Sequence, residues 1–113
     1  MKGCGGMPES FDRGAMTETV FYLLLAFHEK MHGYGAIKKV SEMTDGRIEI
    51  PTATLYGAIN VMLIKGWISE VESDDYNSRK REYIVTAKGK KAFAAELERL
   101  EELIANGRKY TKK

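Results

Sequence analysis

Apolar residues recur at helical spacing between positions 17 and 32. Val20, Leu24, Phe27 and Met31 follow one another at intervals of four, three and four, and Phe21, Leu25 and His28 form a second row beside them. The spacing predicts a helix over 17–32, opened by Thr17 as N-cap, with Glu18 favourable near the positive end of the helix dipole. An apolar surface two rows wide asks for two packing partners, one in its own domain and one outside it.

Gly33 interrupts this pattern, and a second helix is expected over 34–44. Ile37, Val40 and the stem of Ser41 face inward there, while Lys38, Lys39 and Glu42 face water. Asp45-Gly46 ends it, glycine being suited to the left-handed position after a helix. Residues 47–50 (RIEI) alternate polar and apolar, as a short strand does. A third helix is predicted over 52–65 from the buried set Leu55, Ala58, Ile59, Met62 and Leu63, with Gly66 closing it.

Residues 67–72 and 82–85 read as two strands of a hairpin, joined through the polar, turn-rich stretch 73–81. Thr86 then caps a last helix reaching about residue 106, with Gly107 after it. Phe93, Leu97, Leu100 and Ile104 follow at four, three and four, a seam of about two heptads, too short to establish a coiled coil unaided. The order is helix, helix, short strand, helix, hairpin, long helix. The fold class is therefore mainly α with a small β-hairpin: a winged helix-turn-helix followed by a long C-terminal helix.

The outward side of the third helix changes the picture. Once the buried set is removed, Thr52, Ala53, Tyr56, Gly57 and Asn60 remain, and none is charged, in a chain that is 30% charged. A plainly solvated face would carry Lys and Glu. Small and hydroxylated side chains allow close approach: hydroxyls suit phosphate oxygens, Asn suits an adenine edge, and Ala or Thr methyls suit the thymine methyl. A protein-contact face is the competing explanation. Beside this helix, Arg79, Lys80 and Arg81 form a compact cationic cluster in the hairpin. Some of them can pair with Glu70, Glu72 or Asp74 on the opposite arm, and at least one should reach a DNA backbone. Lys88, Lys90 and Lys91 open the last helix, where solvated lysines are the simpler reading.

Composition limits the alternatives. With 113 residues one domain is expected, and 43% hydrophobic content supports a core without metal or disulfide. The net charge of +2 is a weak signal for nucleic acid, so its distribution matters more. The longest apolar run, VFYLLLAF, falls short of the ~20 residues of a membrane span, and no secretory leader is expected. The single cysteine, Cys4, cannot form an internal disulfide, which fits a cytoplasmic protein. No cofactor is expected.

One motif points elsewhere. His28, Glu29 and His32 spell the H-E-x-x-H pattern of zinc peptidases, with Gly35 in the glycine slot of its extended form. Lys38 stands where a third histidine would, and a protonated ammonium is a poor ligand. His28 and His32 are the only histidines in the chain, so a zinc hydrolase is the remote reading.

The stretches TETVFYLLLAF, HGYGAIKKV, TATLYGAI, GWISEV, SRKREYIVTAKGKKAF and ELERLEELI together resemble the PadR family of bacterial transcriptional regulators, in the short form with one C-terminal helix. The resemblance covers about residues 16 to 109 and implies a dimeric winged-helix repressor acting on operator DNA. Residues 1–14, glycine-rich with a proline, read as a flexible or loosely docked arm, and the expected organisation after it is 15–86 as the DNA-binding domain and 87–113 as dimerisation helix and tail. Carried over by position, the resemblance assigns Tyr34, Thr54 and Tyr56 to the DNA-facing region and Arg79 and Lys80 to the wing, beside Lys38, Thr52, Ala53, Asn60 and Arg81, which the residue pattern itself offers as DNA-facing candidates. It pairs the first and last helices between subunits, which would give the apolar rows read above a partner and makes Val20, Phe21, Leu24, Phe93, Leu97, Leu100 and Ile104 the expected interface residues. Ala53 departs from the glycine common in the family, and its methyl should narrow the approach of the backbone slightly. A small aromatic or drug-like effector near the dimer interface is a family property, although the last helix lacks the tryptophan that stacks on such ligands in some members. A winged-helix module that binds protein and no specific DNA is the alternative from a different class.

Overall fold

The computed structural model describes residues 15–72 and 81–112. The arm at 1–14 with Cys4, the Asn77-Ser78 turn, Arg79 and Lys80 lie outside the described residues. The elements are α1 (Glu18–Ala26), β1 (Met31–His32), α2 (Gly33–Met43), α3 (Thr52–Ile64), β2 (Ile68–Val71), β3 (Glu82–Val85) and α4 (Ala87–Thr111). A three-stranded antiparallel sheet in the order β1-β3-β2 accompanies the helices, which is the winged helix-turn-helix expected. No helix among the described residues is long and apolar enough to cross a membrane.

Three boundaries depart from the sequence pattern. The first helix ends at Ala26, with Phe27 as its C-cap, about a turn and a half short of residue 32. Phe27 turns its ring fully into the core, edge-on to Tyr83 at 5.7 Å, and its carbonyl accepts the Val85 N–H at 2.8 Å. That bond spends a helix-end carbonyl on the sheet, and the chain leaves the helix for Met31 and His32 to pair with Tyr83 and Glu82. The expected strand at 47–50 is irregular instead: Thr44 Oγ1 accepts the Ile48 N–H, and only Ile50 is buried. Gly107 does not stop the last helix, which continues to Thr111.

Other signals hold. Thr17 caps α1 by accepting the Val20 N–H at 3.1 Å, and Thr86 caps α4 by accepting the Gly89 N–H at 3.0 Å. The Thr86 hydroxyl also donates to the Gly66 carbonyl at 2.6 Å, tying the end of α3 to the start of α4. Asp45 and Gly46 take positive φ of 56° and 81° at the end of α2, and Gly66 takes 77° after α3.

One core unites the elements. Leu23 and Leu24 from α1, Phe27 at its C-cap, Val40 from α2, and Leu55 and Met62 from α3 are its largest fully buried side chains. Each contributes about 1.5–3 kcal/mol relative to exposure. Phe21 stacks on Phe93 with ring centroids 4.7 Å apart, joining α1 to the first half of α4. Beyond residue 100 every described residue of α4 is exposed, so the second half of this 25-residue helix, about 37 Å long in all, leaves the domain.

Candidate nucleic-acid interface

The site is built on α3 and its N-terminal approach. Leu55, Ala58, Ile59 and Met62 are buried, so the helix is fixed rotationally on α1 and α2. Gly33 at the start of α2 allows the close crossing, since a Cβ there would stand 2.9 Å from Leu55 Cδ2. With that face inward, Thr52, Ala53, Tyr56, Gly57 and Asn60 are exposed, as the sequence pattern required, and Thr54 is exposed with them. Tyr34 on α2 and Tyr56 on α3 leave 51% and 49% of their surfaces bare, and Lys38 is exposed on α2.

The N-terminus of α3 differs from those of the other helices. Thr17, His32 and Thr86 each cap their helix with a side-chain acceptor, whereas α3 begins after Pro51 with no side-chain cap. Its first-turn amides carry the partial positive charge of the helix dipole and have no intrahelical partners, an arrangement suited to a phosphate oxygen.

The base of the wing lies beside this helix. Glu70 is opposite Tyr83 across the β2–β3 ladder, and the Arg81 Nε lies 3.6 Å from Glu70 Oε2. Tyr83 is buried, and burial, with the Glu70 carboxylate and Tyr56 nearby, pushes its phenol above the usual range while Arg81 opposes the shift. Tyr56, Tyr83, Glu70 and Arg81 thus share one electrostatic neighbourhood. Both members of the ion pair are largely exposed, so it contributes little stability and Arg81 can leave it for a phosphate.

The residues assigned to a subunit interface divide. Leu24 is fully buried in its own domain and is withdrawn from any such face, and Phe93 is buried against Phe21. Val20, Phe21 and Leu100 are partly buried, while Leu97 and Ile104 expose 43% and 54%. Leu103, at 53% exposed, joins them. It was missed because it falls off the four-three-four seam, and the domain rather than the seam decides which side of α4 stays bare.

Two further features lie outside the sequence reading. Glu96 falls in an acidic run yet is buried, because it accepts the Met16 N–H at 3.2 Å and pairs with Arg99 at 2.5 Å. The Arg99 hydrogen bond holds its carboxyl below the usual range against the opposing effect of burial. Around this pair, Met16, Phe21, Tyr22 and Leu100 line a cleft of about 280 Å³ between α1 and α4.

The metal motif loses its geometry. His28 lies after the end of α1, edge-on to Phe93 at 5.2 Å, with Nδ1 2.9 Å from the Leu24 carbonyl oxygen. His32 is in β1 and caps α2, its Nδ1 accepting the Gly35 N–H at 3.1 Å. The two imidazoles are not a turn apart on one helix, as H-E-x-x-H chemistry needs. No group of three metal-ligating side chains occurs among the described residues.

Comparison with known proteins agrees with this architecture. A family model described as the transcriptional regulator PadR-like family matches residues 22–95. A transcriptional regulator from Clostridium thermocellum is 25% identical, with a TM-score of 0.69 over 82% of this chain and 88% of that one. A PadR family regulator from Eggerthella lenta is 20% identical, with a TM-score of 0.70 over 97% and 89%. Bacillus subtilis PadR in complex with operator DNA is 17% identical, with a TM-score of 0.62 over 73% of this chain and 48% of that one. No curated protein matches the chain.

Proposed function

This chain belongs to the PadR-like family of transcriptional regulators, and from that premise we propose that it is a homodimeric repressor in the cytoplasm that reads operator DNA with α3. It is a regulator and not an enzyme. The observation that carries the DNA reading is the outer face of α3, uncharged along Thr52, Ala53, Tyr56 and Asn60 and led by an uncapped helix N-terminus. Phosphate contacts from the first-turn amides, Tyr34 and Lys38 would set the register, and Asn60 with the Thr and Ala methyls would meet base edges. Arg79, Lys80 and Arg81 in the wing would supply affinity without sequence information.

Truncation tests the division of roles. Tyr56→Ala should lower operator affinity by roughly 10-fold or more while leaving thermal stability nearly unchanged, since its ring is half exposed. Replacing Arg79 and Lys80 together with alanine should weaken operator and unrelated duplex alike. The slope of log affinity against log salt should then become shallower by up to about two. Fluorescence anisotropy across a salt series measures both. Unchanged binding in all these variants would favour the protein-interaction reading instead.

Relief by a small aromatic or drug-like effector is the further part of the proposal. The cleft beside Glu96 and Arg99 supports it: aromatic walls from Phe21 and Tyr22 surround a charged floor at the place where α1 meets α4. A ligand wedged there would move α4 relative to the domain and so change the spacing of two recognition helices.

A further inference from the structure

Most described glycines answer to the fold. At Gly89 an added Cβ would meet the Trp67 carbonyl, at Gly33 it would crowd Leu55, and Gly46 and Gly66 hold positive φ. Gly57 has no such reason. It lies in the interior of the 13-residue α3, and a Cβ built there meets nothing within 4 Å. Glycine is a poor helix residue because ordering its backbone loses the most entropy, so alanine would make this helix firmer. Gly35 and Gly107 also have room for a methyl group, but Gly35 lies in the first turn of α2 and Gly107 four residues from the end of α4, where fraying makes propensity matter least.

The direction of Gly57 indicates what it serves. Opposite the buried Leu55, Ala58, Ile59 and Met62, the outermost positions are Ala53, Gly57, Asn60 and, at the last residue of the helix, Ile64, at four, three and four residues apart. Asn60 has a short side chain, and its amide reaches a base edge only when the backbone beside it comes close. Hydrogen bonds need donor and acceptor within about 2.7–3.2 Å. A methyl group at 57 would hold the helix off the groove by about the distance that separates a good bond from none.

We propose that Gly57 is a specificity-determining residue: its missing side chain lets α3 seat deeply enough in the major groove for Asn60 to read a base. The proposal rests on the DNA reading above. It predicts a protein that gives up helix stability at one position for close contact. Phosphate contacts made by long, flexible cations tolerate such a shift, whereas base contacts do not.

Gly57→Ala separates the two. Its melting temperature should rise by a few degrees. Its affinity for a duplex carrying the operator should fall roughly 10-fold or more. Its affinity for a scrambled duplex of equal length should stay the same. Because the variant is the more stable protein, lost binding cannot come from unfolding. Unchanged operator affinity in a stabilised variant would overturn the proposal, as would a lowered melting temperature, or an equal loss on both duplexes. Should the unsubstituted protein show no preference for operator over scrambled DNA, the DNA reading itself fails and the role of Gly57 with it.

Discussion

Gly89→Ala is expected to cost at least about 3 kcal/mol of stability and to lower the melting temperature by more than about 10 °C. Gly89 is in the first turn of α4, where the helix passes directly over the chain that leaves α3. A Cβ at this position would overlap the backbone carbonyl of Trp67 and stand 2.8 Å from Val85 Cγ2. Backbone cannot move aside as a flexible side chain can. The same Trp67 carbonyl accepts the Thr86 N–H at 2.9 Å, and Thr86 in turn caps α4 through the Gly89 N–H. One methyl group therefore strains the cap, the strand entry and the helix start together. Thermal unfolding followed by circular dichroism measures the effect. A variant melting within a few degrees of the parent would show that α4 does not pack tightly on the Trp67 carbonyl.

The second large effect concerns the bare half of α4. Leu97, Leu103 and Ile104 together expose apolar surface along a helix that projects from the domain, and Tyr110 continues it at 75% exposed. Exposed apolar area of this kind marks an interaction surface. Under the proposal it meets the same surface of a second chain, a self-complementary contact of the sort that two-fold dimers make. Leu97→Glu combined with Ile104→Glu should leave each domain folded, since neither side chain is buried in it. The pair should convert a dimer to a monomer by multi-angle light scattering. Operator affinity should then fall by roughly 100-fold or more, because one chain reaches only one half-site and loses the effective concentration that a linked second reader provides. A variant that stays dimeric would place the subunit contact elsewhere.

How much of this was legible in the residues differs from element to element. Leu55, Ala58, Ile59 and Met62 of α3 were readable as buried because a surface helix on one core repeats its apolar residues at 3.6-residue spacing, but Leu63, expected with them, lies at the edge of that stripe and is exposed, as are Val61 and Ile64. The caps at Thr17 and Thr86 were readable because a hydroxyl before an apolar run has one local use. The end of α1 was not readable. Val20, Leu24, Phe27 and Met31 keep helical spacing to the last, and only the bond from the Phe27 carbonyl to Val85, residues distant in sequence, stops the helix and frees Met31 and His32 to become a strand. His32 shows the same limit. In sequence it looks like the second ligand of a metal motif, and in the fold it is the cap of α2.

The chain's own pattern therefore determined the elements that are locally encoded: four helices, two strands of a hairpin and an outer face of α3 without charge. Their physical basis is periodicity and capping, which act over a few residues. Tertiary structure decided the rest, because each remaining feature depends on groups far apart along the chain. Packing of α1 against the other helices placed Leu24 and Phe93 inside the domain and left Leu103 outside. Pairing with β3 made a strand of residues expected to be helical. The pairing of Glu96 with Arg99 and the Met16 N–H turned a carboxylate in an acidic run into a buried one. And only the space around each glycine separates Gly89, which the fold cannot do without, from Gly57, which it does not need.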